Sequence, residues 1–249
     1  MSDVSIGKNP SATHRSTSER GRSHTKVASI YERLGQVYSG GQIAAAKRSQ
    51  LWQMRPGDRV LYAGVGAGED AAEAARLGAT LTCLDLSAAM LARVERRLAA
   101  AGQSAELICG NAFEHVRPDY YDIVCANFFL NCLDEPAMRD MLLHLATLVR
   151  PGGKLLIADL AVPRGCLLAR WFHRAYTRAA NVIFWALGLV PLHPIYDYRR
   201  YFAAAGLRCA GERSFRLYGV GPVAYESLTA VRSPPESTFA PHAETPRRS

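Results

Sequence analysis

Arg59-Val60-Leu61-Tyr62-Ala63-Gly64-Val65-Gly66-Ala67-Gly68-Glu69-Asp70 joins an apolar run to a Gly-x-Gly-x-Gly turn and then to a helix-forming segment, and the next apolar run closes on Asp85. A strand, a glycine turn, a helix and a second strand tipped by an acid are how an α/β sheet builds a nucleotide or nucleoside pocket. Glycine has no Cβ, so the chain turns sharply there and a ligand comes close to the backbone. The acid accepts hydrogen bonds from adjacent ribose hydroxyls. A dinucleotide site calls for Gly-x-Gly-x-x-Gly, but Asp70, Ala71 and Ala72 follow Gly68. A nucleoside ligand therefore fits better than a dinucleotide, and a purely structural turn is the competing reading.

The flanking sequence alternates in the same way. Ile30, Leu34 and Tyr38 share a helical face, and helices are predicted over 27–38 and 42–53. Strands are predicted over 60–63, 80–84, 106–109, 121–127 and 154–158. Helices fall between them over 69–77, 88–101 and 135–148, with Ser87 as an N-cap and Gly78 and Gly102 as stops. Pro56-Gly57-Asp58 and Pro151-Gly152-Gly153 read as turns. A last helix over 197–205 precedes two extended segments, 207–217 and 223–231, joined through Gly219-Val220-Gly221-Pro222 without a helix. The expected fold class is α/β: a Rossmann-like, doubly wound, mostly parallel sheet with a C-terminal antiparallel hairpin at its edge.

The chain is 49% hydrophobic and 21% charged, which suits one domain over 27–232 between two tails. Residues 1–26 hold six Ser and five Lys/Arg but no aromatic, and cannot bury enough apolar area to offset the entropy of ordering. Residues 233–249 read the same way, so both tails are expected to be disordered. The first 26 residues lack the apolar core of a secretory signal. There are six cysteines and no Cys-x-x-Cys pair. Cys83, Cys109 and Cys125 lie in apolar runs, which reads as reduced core thiols of a cytoplasmic protein.

The net charge of +8 is unevenly spread: residues 164–200 carry six Arg against one Asp, interleaved with Trp, Phe, Tyr and Leu. That mixture favours an anionic membrane surface over nucleic acid. Arg170, Arg174, Arg178 and Asn181 form one stripe of a helix whose remainder includes Leu167, Leu168, Trp171, Phe172, Phe184 and Trp185. The charges argue against a spanning helix. An amphipathic lid or membrane-contact segment over 164–196 is expected, at the inner face of the membrane. Packing on the protein's own core is the alternative.

Four further positions carry chemistry. Asp85 suits ribose hydroxyls, with a helix-dipole partner as the alternative. Asn111, in Gly110-Asn111-Ala112 after the third strand, suits an adenine amino group, with an ordinary turn residue as the alternative. Asn127-Phe128-Phe129-Leu130-Asn131 follows the fourth strand at the ligand edge, where two aromatics between amides can stack on a flat ring and bond its oxygens. Asp159 ends the fifth strand and is the best candidate for a metal ligand, a structural cap being the competing role; no His-x-x-x-His cluster accompanies it.

The succession of Gly64-Val65-Gly66-Ala67-Gly68, Asp85, Gly110-Asn111-Ala112, Tyr121-Asp122-Ile123-Val124 and Leu148-Val149-Arg150-Pro151-Gly152-Gly153 resembles the class I S-adenosylmethionine (SAM)-dependent methyltransferases over residues 27–231. Within that group, residues 60–70 together with Ala126-Asn127-Phe128-Phe129-Leu130-Asn131 are similar to the rhodoquinone-biosynthesis family, RquA. The resemblance implies conversion of ubiquinone to rhodoquinone, a ring methoxy group giving way to an amino group, with SAM as amino donor and a divalent metal, manganese, assisting. The expected SAM contacts are Tyr62, Gly64, Gly66, Gly68, Asp85, Leu86, Asn111, Ala112 and Asn127. Catalytic parts are expected for Tyr62, Asp122 and Asn127, and contacts to the quinone ring for Phe128, Phe129 and Asn131. Most members place a carboxylate where this chain has Tyr62, and that acid helps to hold the ammonium of SAM. A phenol removes a full charge partner, which brings the amine closer to its neutral, nucleophilic form. Ordinary methyl transfer with Tyr62 as a SAM contact is the competing reading.

Two rival functions follow: a conventional methyltransferase for a quinone or lipophilic phenol, and a non-catalytic, membrane-associated SAM-binding scaffold. A nucleic-acid methyltransferase fits less well, because the chain lacks an Asn/Asp-Pro-Pro-aromatic motif and its basic segment is apolar.

Overall fold

β1 (Arg59–Ala63) is buried along nearly its whole length, as a strand covered on both faces must be. It pairs in parallel with β2 (Thr80–Asp85) on one side and β4 (Tyr121–Cys125) on the other. β3 (Glu106–Cys109) continues the sheet beyond β2, and β5 (Val149–Leu160) continues it beyond β4. β7 (Val223–Arg232) lies antiparallel to β5, and β6 (Leu207–Arg216) closes the edge against β7. The order across the seven strands is β3-β2-β1-β4-β5-β7-β6. This is the mostly parallel, doubly wound sheet with a terminal antiparallel hairpin that the alternation of elements predicts. The computed structural model describes residues 39–163 and 195–234, with positions 167, 171, 175, 178 and 182 between them. The helix predicted over 27–38, nearly all of both tails and most of the 164–196 segment lie outside the described residues.

The alternation along β1 sends successive side chains to opposite faces. Leu61 and Ala63 join a core with Val124, Leu155 and the Met138, Leu142 and Leu145 face of α4 (Glu135–Leu148). Val60 and Tyr62 join the opposite core, with Cys83, Ile123 and two helices, α2 (Glu69–Arg76) and α3 (Ala88–Ala100). α2 presents Ala71, Ala72, Ala74 and Ala75 to the sheet, and such small side chains let the helix sit close. Each fully buried Leu in these cores contributes about 1.5–3 kcal/mol. Ser87 and Asp134 cap α3 and α4 by accepting the N–H groups of Met90 and Ala137.

The structure departs from the predicted elements in a few places. The helix expected over 42–53 is divided: α1 (Gln42–Arg48) ends at Arg48, and a 3-10 turn occupies Leu51–Gln53. The fourth strand stops at Cys125, because Asn127 turns inward and Phe128 adopts a left-handed backbone with φ 52°. Pro151-Gly152-Gly153 does not separate helix from strand. The pairing passes from Tyr121↔Val149 to Ile123↔Lys154, so residues 150–153 stand opposite Asp122 alone, three more than a regular ladder holds, and the turn triplet lies in a bulge within β5. The helix over 197–205 is one turn, α5 (Arg199–Phe202), followed by a 3-10 turn. Cys83 and Cys125 are buried thiols as expected, but Cys109 is exposed, because β3 is an edge strand.

Candidate functional site

From β1 the chain steps outward through β2 to β3, then returns to start β4 on the other flank of β1 and steps through β5. The connections therefore diverge at the carboxyl ends of β1 and β4, and a doubly wound sheet binds its ligand in that crevice. Asn111, Asp85, the glycine turn and Asn127 follow the ends of β3, β2, β1 and β4 in spatial order. Three strand spacings separate the first from the last, about 14 Å.

Gly64, Gly66 and Gly68 all have left-handed backbones. A Cβ on Gly64 would lie 2.5 Å from Cδ2 of Phe129, and one on Gly68 would lie 2.8 Å from Cγ2 of Val94. A Cβ on Gly66 would meet nothing within 4 Å, so this glycine faces open space. Asp85 braces the turn. Its Oδ2 accepts the Gly66 N–H at 3.0 Å and its Oδ1 accepts the Ser87 N–H at 2.9 Å. Each oxygen keeps a second lone pair for a hydroxyl donor. Beside it, Leu86 is 75% exposed. Asn111 accepts the Phe113 N–H at 3.1 Å and caps the 3-10 turn Ala112–Glu114, which is the turn role weighed against the adenine contact. Ala112 is buried.

At the ends of β1 and β4 the side chains form a buried polar cluster. Asn127 Oδ1 accepts from Gln50 Nε2 at 2.9 Å and from the Ala158 N–H at 3.0 Å. Its Nδ2 donates to Gln50 Oε1 at 2.9 Å and to Asp70 Oδ2 at 3.0 Å. The amide's two lone pairs and two protons are thereby engaged. Asn127 is placed to orient Asp70, rather than to act on a substrate itself. Asp70 is the residue that motif reading passed over. It is 3% exposed, its Oδ1 has no hydrogen-bond partner among the described residues, and Lys47 Nζ approaches that oxygen at 3.7 Å. An acid in the first turn of a helix reads as a dipole partner, and its burial depends on residues far away in sequence.

The remaining expected site residues divide. Tyr62 is buried beneath α2, its hydroxyl donating to the Asp70 carbonyl oxygen at 3.3 Å and lying 4.0 Å from Met54 Sδ. Burial, then the neighbouring Cys125 and Asp70, hold its pKa well above the usual tyrosine value, so it remains a neutral phenol. Phe129 lies over Gly64, whereas Phe128 turns away to pack on Tyr225, the ring centroids 6.1 Å apart. The two aromatics therefore do not form one stack. Asn131 is buried in the same loop. Asp122 is not brought to this edge. It opens β4 at the opposite, amino end of the sheet, accepting from the Arg59 N–H at 2.8 Å and from Arg150 Nε at 2.5 Å. This placement gives it a structural tie in place of the expected catalytic part.

Asp159, the expected metal ligand, is buried at the end of β5. Its Oδ1 accepts the Leu160 N–H at 2.7 Å and its Oδ2 accepts the Tyr198 hydroxyl at 2.6 Å. Burial pushes its carboxyl up to about 7, against the hydrogen bond from Tyr198. Both oxygens are engaged, and among the described residues no group of three His, Cys, Asp or Glu side chains is arranged to hold a metal ion. The described residues therefore do not fit a manganese site. A charged groove of about 460 Å3 between α1 and α2, lined in part by Arg48, Glu73 and Arg97, contains none of the expected site residues.

Residues 60–153 match the methyltransferase-domain family. Demethylmenaquinone methyltransferase of Mycobacterium marinum is 30% identical over 167 residues, spanning 63% of this chain and 68% of the relative. The chain belongs to the class I SAM-dependent methyltransferase superfamily. The similarly named protein of Clavibacter sepedonicus is 29% identical over 156 residues, spanning 59% of this chain and 60% of that one. Among solved structures, 1,6-didemethyltoxoflavin-N1-methyltransferase of Burkholderia thailandensis, with bound 1,6-didemethyltoxoflavin and S-adenosylhomocysteine, shares the fold at a TM-score of 0.59 and 16% identity, over 92% of this chain and 93% of that one. A geranyl diphosphate methyltransferase in complex with GPP and sinefungin does so at a TM-score of 0.58 and 19% identity, over 78% and 77%. SAM suits the residues present. Gly66 leaves room at the turn, Asp85 offers lone pairs beside it, and an unshared carboxylate oxygen waits at the far end of the crevice.

Proposed function

We propose that this chain is a SAM-dependent enzyme acting on ubiquinone: the neutral SAM amine adds to a ring carbon, the methoxy group there leaves as methanol, and the donor's Cα–N bond then breaks as a Cβ proton is lost, leaving the amino group on the ring and an unsaturated acid as the spent donor. The carrying observation is at the end of β1. Tyr62 stands where most members of the superfamily have a carboxylate, and its phenol is neutral and turned beneath α2. With Tyr62 neutral, the nearest carboxylate is displaced from β1 to Asp70 at the start of α2, which supports a donor end handled differently from an ordinary methyl donor. A quinone-type ring is supported by the similarity to relatives named demethylmenaquinone methyltransferases. Phe129 supplies an apolar wall over Gly64 at the edge of the crevice, and Asn131 lies in the same loop. The chain's contribution is mainly positioning: SAM held along the carboxyl edge, with the ring carbon brought against its reacting end.

A peripheral membrane contact accompanies this reading. Leu167, Trp171 and Val182 are exposed at helical spacing within the basic, apolar segment, as expected of a helix lying in a lipid interface. None of the described helices is long and apolar enough to cross a membrane.

Ordinary methyl transfer to a quinone is the second reading, favoured by the relatives' names. One experiment separates the two. Full-length protein is incubated with ubiquinone or a demethylated quinone, SAM carrying 15N in its amino group and 13C in its methyl group, and manganese present or omitted. Mass analysis showing 15N on the quinone supports amination, and 13C on the quinone overturns it in favour of methylation. SAM binding without any quinone product leaves the scaffold reading.

A further inference from the structure

We propose that Asp70 is a cation-exchange point: its unshared oxygen leans on Lys47 in the free protein and takes the primary ammonium of SAM on loading, releasing Lys47. The inference rests on the SAM-binding reading above and adds a residue and a partner exchange to it.

Three observations converge on Asp70. First, its carboxylate is almost wholly buried, yet only one oxygen is satisfied. Oδ2 accepts from Asn127 at 3.0 Å, while Oδ1 has no hydrogen-bond partner among the described residues. A buried charge without its donors is costly. Second, the nearest cation is not seated. Lys47 Nζ is 3.7 Å away, beyond the 2.7–3.2 Å of a true N–H···O bond. The carboxylate cannot simply swing to meet it. The filled Gln50–Asn127 amide pair anchors Oδ2, and the Tyr62 hydroxyl supports the backbone at the same residue. Third, the position is right for the charged end of an extended nucleoside ligand. With the base toward β3 and the ribose at Asp85 on β2, the remaining end of the ligand reaches the crevice between β1 and β4. Asp70 stands there, one step beyond the glycine turn.

The other groups nearby do not compete for this role. Asn127 has no free donor or acceptor, the Tyr62 hydroxyl points under the helix, and the remaining Asp85 lone pairs lie at the end of β2, where the ribose sits. A primary ammonium brings three donors and a full charge, enough to satisfy an oxygen that Lys47 only approaches. Lys47 is 23% exposed on α1, so its flexible stem lets the displaced head reach water. Asp70 thus supplies, from the helix, the carboxylate that β1 lacks at Tyr62.

The test is calorimetric binding of S-adenosylhomocysteine and of 5′-methylthioadenosine, which lacks the amino-acid end, to the full-length protein. Asp70→Asn is expected to weaken S-adenosylhomocysteine roughly ten- to hundredfold, the worth of one charge-assisted bond, and to leave methylthioadenosine unchanged. Lys47→Met, which removes the competing cation, is expected to tighten S-adenosylhomocysteine severalfold and to leave methylthioadenosine unchanged. Equal losses for both ligands in Asp70→Asn, or weaker S-adenosylhomocysteine binding in Lys47→Met, overturn the proposal. If circular dichroism shows Asp70→Asn unfolded, the Lys47 variant decides alone. Wild-type protein that binds neither ligand overturns the SAM reading itself, an outcome distinct from those above.

Discussion

The Tyr62 hydroxyl donates to the carbonyl oxygen of Asp70 at 3.3 Å, tying the end of the central strand to the first turn of the helix that follows the glycine turn. The residue that departs from the superfamily's usual acid is therefore a strut, and its ring fills the core beside Cys83, Cys125 and the α2 alanines. Tyr62→Phe should cost about 1 kcal/mol in chemical denaturation, the net worth of one hydrogen bond. Tyr62→Asp would put an uncompensated carboxylate in that core and should destabilise by several-fold more, on the order of 3–5 kcal/mol. Product analysis of Tyr62→Phe then asks about chemistry without the folding defect: an unchanged product takes the hydroxyl out of the mechanism.

Gly64 and Gly66 should fail differently when changed to alanine. At Gly64 the new methyl meets the Phe129 ring at 2.5 Å on a left-handed backbone. Gly64→Ala should therefore lower stability by about 1–3 kcal/mol, and Phe129→Ala in the same chain should restore part of it. At Gly66 there is space but φ is 56°. Gly66→Ala should lose SAM affinity out of proportion to stability, because its methyl stands where the ligand approaches. Thermal melts paired with calorimetry distinguish the two.

Asp122 should behave as a structural residue. Burial alone would raise its pKa, but the Arg59 N–H and the Arg150 and Arg59 guanidinium groups hold its carboxyl below the usual range. A group of lowered pKa lends stability above its unfolded pKa of about 4, and that stability is lost as pH falls through the folded value. Asp122→Asn should cost about 1–2 kcal/mol near neutral pH, after allowance for the partly exposed arginines. The cost should shrink in acid, while affinity for SAM stays unchanged.

Asp159 has the opposite sign. The unfolded chain releases this proton near pH 4, whereas burial delays release in the folded chain to about 7. Between those values the folded state binds more protons, so this group makes stability fall as pH rises and adds no further slope above the window. Asp159→Asn should remove that slope, worth on the order of a few kcal/mol across the window. Tyr198→Phe removes the donor that favours the ionised form, and should carry the fall to higher pH. Denaturant melts from pH 4 to 9 on the three proteins check both.

Much of this architecture was legible because central parallel strands need unbroken apolar runs and the chain punctuates them with Gly and Pro. The glycine turn and Asp85 could be read from one strand–helix–strand step. Asp122 carried a readable warning, since it opens its strand and so belongs to the end away from the ligand edge. Asp70 carried none. Its burial comes with a cluster whose Gln50 and Asn127 lie 77 residues apart in the chain, and no local pattern reports such a contact. The divergence of Phe128 from Phe129 was equally hidden, because it follows from a left-handed backbone at a bulky residue that propensity disfavours. The Pro-Gly-Gly turn misled for a simpler reason: a bulged triplet inside a strand has the composition of a turn between elements.

The hairpin edge has a consequence for assembly. β6 is the last strand of the sheet, its sequence carries Arg208, Glu212, Arg213 and Arg216, and its pairing to β7 slips at Cys209/Gly211. Another chain seeking to lengthen the sheet there would have to dehydrate that ionic fringe and match an irregular ladder. Fibrillar stacking along this side is thereby discouraged, even at high protein concentration.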